Sequence, residues 1–152
     1  MGARISTNFA ALLANTIKAQ VESEAYCIRL YAAPRRATPQ DAVGAATLLV
    51  TITAGGLGLT WEAAVDQLLS KNVSEVWEAT NVANGTAVWG CHSPVSDTGL
   101  ASSSIYRTDF DVGLWTDGVL PDLKMSSNVL VSDEVTRINQ ATYTVIESVS
   151  DL

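Results

Sequence analysis

Charge is scarce in this sequence. Only 16% of its 152 residues are Asp, Glu, Lys or Arg, against about 25% in an ordinary soluble domain. Ala, Thr, Ser, Val and Asn stand in their place, a mix suited to strands and turns with neutral polar outer faces. Such a surface is weakly defended against association, which predicts partners covering part of it. Positive charge is scarcest: nine Lys and Arg against sixteen Asp and Glu leave a net charge of -7. Arg35-Arg36 is the sole adjacent basic pair. Binding nucleic acid through counterion release needs several cations on one face, so direct nucleic-acid contact is not expected.

Histidine and cysteine are nearly missing too. Cys27 and Cys91 are too few and too far apart for a disulfide framework or a zinc site. Both lie in apolar runs, YCIRLY and VWGCH, which predicts buried free thiols, with a bridge open only if their strands are neighbours. His92 is the single histidine. It follows Cys91 directly, and strand neighbours point to opposite faces, so the two cannot act as nucleophile and base. His92 is expected at the surface or rim. No nucleophile, base and orienting group can be assembled, so neither an enzyme nor a cofactor site is expected. No apolar run reaches the ~18 residues of a membrane span. Met1 to Ser6 is polar and contains Arg4, which predicts no secretory leader and a chain made in a cytoplasm.

What is present is a change of period. Ser6, Thr7 and Asn8 offer helix N-caps. Phe9, Leu12, Leu13, Ile17 and Val21 then recur at three- and four-residue spacing, with Asn15, Lys18 and Glu22 on the other face. From Tyr26 the period is two: Tyr26, Ile28 and Leu30 face one way, Cys27, Arg29 and Tyr31 the other. After a Pro-containing loop over 32–46, residues 47–53 (TLLVTIT) form the strongest strand pattern. Further strands are expected at 57–61, 74–79, 86–92, 105–112, 122–126, 134–138 and 142–148. The segment 61–69 reads as a helical turn or as a loop holding Val65 and Leu68 on the core. Asn84-Gly85 reads as a hairpin turn. The fold class is therefore mainly β: an antiparallel β-sandwich or jelly-roll-like domain over 25–152, with one N-terminal amphipathic helix, 1–24, forming one structural domain overall.

Chemistry-bearing residues have structural readings. Asp109 and Asp111 flank Phe110 and share a strand face that is expected to be solvated. Asp97, Asp117 and Asp122 sit beside Gly, Thr or Pro as turn formers. The glycines of TITAGGLGL lack the Lys-Ser/Thr of a phosphate loop and read as strand termination or a bulge. Trp77 and Trp89 lie in alternating strands and are expected in the core, whereas Trp115, in GLWTDG, is the expected exposed contact.

Taken in order, these segments resemble a family of small tailed-bacteriophage virion structural proteins. The resemblance rests on Arg4-Ile5-Ser6-Thr7, Ala11-Leu12-Leu13, Ile28-Arg29-Leu30-Tyr31 and the Thr47-Leu48-Leu49 strand. It continues through Trp77-Glu78-Ala79, Gly85-Thr86-Ala87-Val88-Trp89, Asp97-Thr98-Gly99, Arg107-Thr108-Asp109 and Asp122-Leu123. Phe110-Asp111-Val112-Gly113 departs from the family's Gly after Arg-x-Asp. The resemblance implies a β-sandwich and a non-enzymatic place in the virion. Within the virion, the leading expectation is an outer capsid decoration (cement) protein that binds the major capsid protein as a homo-oligomer. An acidic chain would be repelled by packaged DNA, which puts it outside the shell. A neck, collar or tail component is the alternative, and a carbohydrate- or receptor-binding module the second. The expected interface comprises Phe9, Leu12, Leu13, Ile17, Arg35, Arg36 and Trp115.

Overall fold

The described residues form a mainly β fold with one helix, and the clearest periods of the sequence, over 6–23, 26–31 and 47–53, each correspond to one element. The structure, a computed structural model, describes residues 6–66, 68–117 and 122–144. Helix α1 (Thr7–Ser23) starts where Ser6 Oγ accepts a hydrogen bond from Phe9 N, satisfying one of the free N–H groups of a helix start. Among the described residues eleven strands follow: β1 (Tyr26–Tyr31), β2 (Leu48–Ile52), β3 (Leu68–Ser70), β4 (Trp77–Thr80), β5 (Gly85–Thr86), β6 (Trp89–Pro94), β7 (Thr108–Leu114), β8 (Leu123–Met125), β9 (Val129–Leu130), β10 (Val135–Ile138) and β11 (Thr142–Thr144).

Five strands form one sheet in the order β2-β1-β6-β7-β8, which curls into a half-barrel. Its pairs are antiparallel except β7 with β8, which run parallel. The other six make three two-stranded antiparallel ribbons: β10 with β4, β11 with β3 and β5 with β9. Both faces of the main sheet are covered, so every residue of β6 is buried. Tyr26, Ile28 and Leu30 enter the larger core with Leu49, Trp61, Trp77 and Val112. On the opposite face Tyr31, Trp89 and Cys91 pack under Val43, Ala46 and Leu48 of the 32–48 segment. The alternation expected for β1 therefore holds, and Trp77 and Trp89 are both fully buried. Each indole N–H is satisfied, Trp77 by Glu75 Oε2 at 2.7 Å and Trp89 by Ala32 O at 3.2 Å.

The middle of the chain departs from its expected reading. Residues 57–61 form no strand. Gly55 and Gly56, at φ +62° and +86°, close a two-residue turn between Ala54 and Leu57, which exchange backbone hydrogen bonds at 3.1 Å. In the stretch after Trp61 it is Leu69, in β3, that reaches the core, while Val65 and Leu68 stay exposed. Asn84-Gly85 is not a hairpin turn. Neither residue has the positive φ of such a turn, and β4 and β6 pair instead with β10, β1 and β7. The expected strand over 86–92 divides into β5 and β6, and that over 105–112 begins at Thr108. Residues 145–148 of the expected closing strand lie outside the described residues.

Candidate interaction surface

The helix meets the domain with an unexpected face. Its buried residues are Ala10, Ala14 and Val21. The polar side drawn from the sequence turns partly inward: Glu22 Oε1 accepts from Trp61 N at 2.9 Å, and Asn15 Oδ1 accepts from Ala64 N at 3.0 Å. The physical reason lies in the 59–64 segment, whose free backbone N–H groups need acceptors that only the polar side can supply. Ala10 and Ala14 have side chains short enough for close approach. Lys18, 2.6 Å from Glu22, balances that carboxylate.

The larger apolar side chains are left outward as a result. Phe9 is 48% exposed, Leu12 60% and Ile17 at the edge of exposure, with Leu13 half-buried between them. At 100° per residue these four fall on one continuous side of α1. An amphipathic helix normally buries its large apolar stripe on its own core. This helix buries Ala10, Ala14 and Val21 and leaves Phe9 and Leu12 exposed.

The other expected contacts divide. Arg36 is not a surface residue: its Nε and Nη2 hold both Asp109 oxygens at 2.7 and 2.6 Å, Nη2 also donates to Cys91 Sγ, and the guanidinium lies 5.5 Å from the Trp89 ring centre. Asp109, expected in solvent, is buried by this pair. Arg35 is outside and pairs with Asp111, both partly exposed. Trp115 is 63% exposed, but it lies seven residues beyond Thr108 on β7. At about 3.3 Å per residue that is roughly 23 Å from the end of the strand beside the helix. The helix stripe and Trp115 therefore form no single patch. Asp97, read as a turn former, does accept from Gly99 N at 2.9 Å, yet also forms a buried bidentate pair with Arg107 at 2.6 and 2.7 Å. That pair and its hydrogen bonds hold Asp97 below the usual carboxylate range despite burial.

Cys27 and Cys91 are buried free thiols, as expected, in register opposite Ser93 and Arg29 and not each other. Burial pushes the Cys91 thiol up to about 12, so it stays protonated and unreactive at neutral pH. His92 overturns the rim expectation. It is buried against Tyr26 and Trp61 with ring centres 5.0 and 5.5 Å away, and its Nε2 has no hydrogen-bond partner. Desolvation lowers its pKa to about 4. The ring borders a cavity of about 580 Å³ under α1. No local pattern marked it, because the cover over its face of β6 comes from α1 and Trp61, both distant in sequence.

Comparison with protein-family models, curated proteins and solved structures returns no match. Among the described residues no helix is long and apolar enough to cross a membrane.

Proposed function

We propose that this protein is a non-enzymatic structural component of a tailed-bacteriophage virion, an outer capsid decoration protein that binds the major capsid lattice through helix α1. The observation that carries the reading is the outward pair Phe9 and Leu12, with half-buried Leu13 beside them, on a helix already docked by its other side. A solvated helix with no partner gains nothing from that orientation, whereas burying each such side chain in an interface contributes about 1.5–3 kcal/mol. In a symmetric lattice a modest contact is repeated many times, so the stabilisation accumulates. The low charge and the acidic balance suit an outer position, away from DNA. The β-sandwich is part of the same proposal: the main sheet is one layer and the three ribbons supply the facing one across the large core.

Co-sedimentation of the purified chain with empty shells of the major capsid protein tests the reading. The wild type should pellet with shells, and Leu12→Asp or Phe9→Asp should not, with thermal melts unchanged because both side chains are exposed. Pelleting of the Asp variants at wild-type levels would remove the helix from the interface. Binding to neck or tail assemblies and not to shells would give the alternative location.

A further inference from the structure

The cavity under α1 goes beyond this reading. Its wall is aromatic and steeply angled: Trp61 stands at 77° to His92 and 59° to Tyr143, and Tyr26 at 58° to His92. Ile17 and Leu69 add apolar surface. Its volume, about 580 Å³, falls within the range of small-molecule sites. Among the described residues, the buried polar groups of its wall other than His92 are already engaged. Tyr26 Oη donates to Tyr106 O at 2.9 Å, and Tyr143 Oη shares a hydrogen bond with Thr108 Oγ1 at 2.9 Å. Arg107, the only charged wall residue among the described residues, is held by Asp97 and by the carbonyls of Pro39 and Leu100. Gln40 and Ser103 stand exposed at the mouth.

His92 is the exception. A neutral imidazole carries one donor and one acceptor nitrogen, and here Nε2 is buried without a partner. Native interiors rarely leave such a group unpaired, and each instance calls for a reason.

We propose that this cavity binds a neutral, planar aromatic molecule of about two rings carrying one hydroxyl, with the hydroxyl bonded to His92. The angled rings offer faces and edges to a flat guest, the arrangement aromatic pairs prefer. A hydroxyl both donates and accepts, so it satisfies the imidazole in either tautomer. An anion is disfavoured because no wall cation is free among the described residues. The bond to Nε2, which is buried, forms as the His92 ring turns on entry of the guest.

Calorimetric titration of the full chain with 1-naphthol, naphthalene and 1-naphthoate tests the proposal. 1-Naphthol should bind one to one, at least tenfold more tightly than the other two. In His92→Phe, which keeps a ring and removes both nitrogens, the preference for 1-naphthol over naphthalene should vanish. Ile17→Trp, at the partly exposed rim, should block both guests while the circular-dichroism spectrum stays native. The absence of saturable 1-naphthol binding to the wild type would overturn the proposal, as would wild-type binding by Ile17→Trp. An unchanged hydroxyl preference in folded His92→Phe would also overturn it. If His92→Phe does not fold, Ile17→Trp and the wild-type ranking decide.

Discussion

Cys91 and His92 are chain neighbours on β6, yet they look into opposite kinds of interior. On the Cys91 side every strong polar group is matched: Arg36 has two oxygens of Asp109, the carbonyl of Asp41 at 3.1 Å, the thiol and the Trp89 face. On the His92 side the walls are larger and mostly apolar, and a nitrogen is left unpaired. One face of the sheet is closed by a short segment pinned through charge, the other by a helix that leaves space beneath it. Burial alone does not distinguish the two faces; the completeness of pairing does.

The largest test breaks both sides equally. Trp77→Ala and Trp89→Ala each remove a fully buried indole and should cost about 3–5 kcal/mol, a large share of the roughly 5–15 kcal/mol of a typical domain. Denaturant melts of the two variants measure this. A wild-type midpoint for either would mean that its ring does not fill the core.

Asp109→Ala sharpens the contrast on the charged side. It leaves the Arg36 guanidinium buried with only neutral partners, at a cost of about 3 kcal/mol, the low end for breaking a buried pair. The double replacement Arg36→Met with Asp109→Leu should recover most of that loss, because desolvation of the charges disappears with them. A double variant no more stable than Asp109→Ala would show that packing, not charge, dominates.

On the other side, the lever is pH. His92 has a folded pKa near 4 against about 6.5 unfolded. Between those values the unfolded chain binds a proton that the folded chain refuses, so stability falls as pH falls. From pH 7 to pH 5 the loss should be about 2 kcal/mol. Below pH 4 further loss belongs to Asp97 and Glu75, whose folded pKa values are also lowered. Melts of His92→Phe across this range should be nearly flat between pH 7 and 5, and a slope equal to wild type would contradict the assignment.

The smallest effect is expected at the exposed pair. Arg35→Ala removes a contact whose side chains are 39% and 51% exposed, and should change stability by less than about 1 kcal/mol. A loss approaching that of Asp109→Ala would mean that the outer pair is not screened.

These contrasts were unevenly legible in the sequence. Period two over 26–31 and 47–53 and the capped apolar spacing of 6–23 predicted β1, β2 and α1, because those signals are local. The burial of Trp77 and Trp89 was legible for the same reason. Which side of α1 docks was not, since it depends on backbone donors at Trp61 and Ala64, some forty residues away in sequence. Arg36 read as a surface cation because its partner lies on β7, 73 residues on. His92 read as a rim residue because the period of a strand says which residues share a face, not whether a distant segment covers it. The candidate interface was therefore half visible: the four apolar helix residues could be listed from spacing, but not which of them would be free.

The strand order also sets a timetable for folding. β1, near the start of the chain, lies between β2 and β6, so it gains its second neighbour only after residues 89–94 have been synthesised. Until then the pair of β1 and β2 shows two open edges, that of β1 awaiting β6, and Ile28 and Leu30 lack most of their eventual cover. The ribbon of β3 and β11 closes later still, from residues 68–70 and 142–144. Non-local pairing of this kind slows folding into the millisecond-to-second range and prolongs the exposure of sticky intermediates. Expression at reduced temperature, with slower crowding of nascent chains, should therefore raise the soluble yield more than any change to the finished surface.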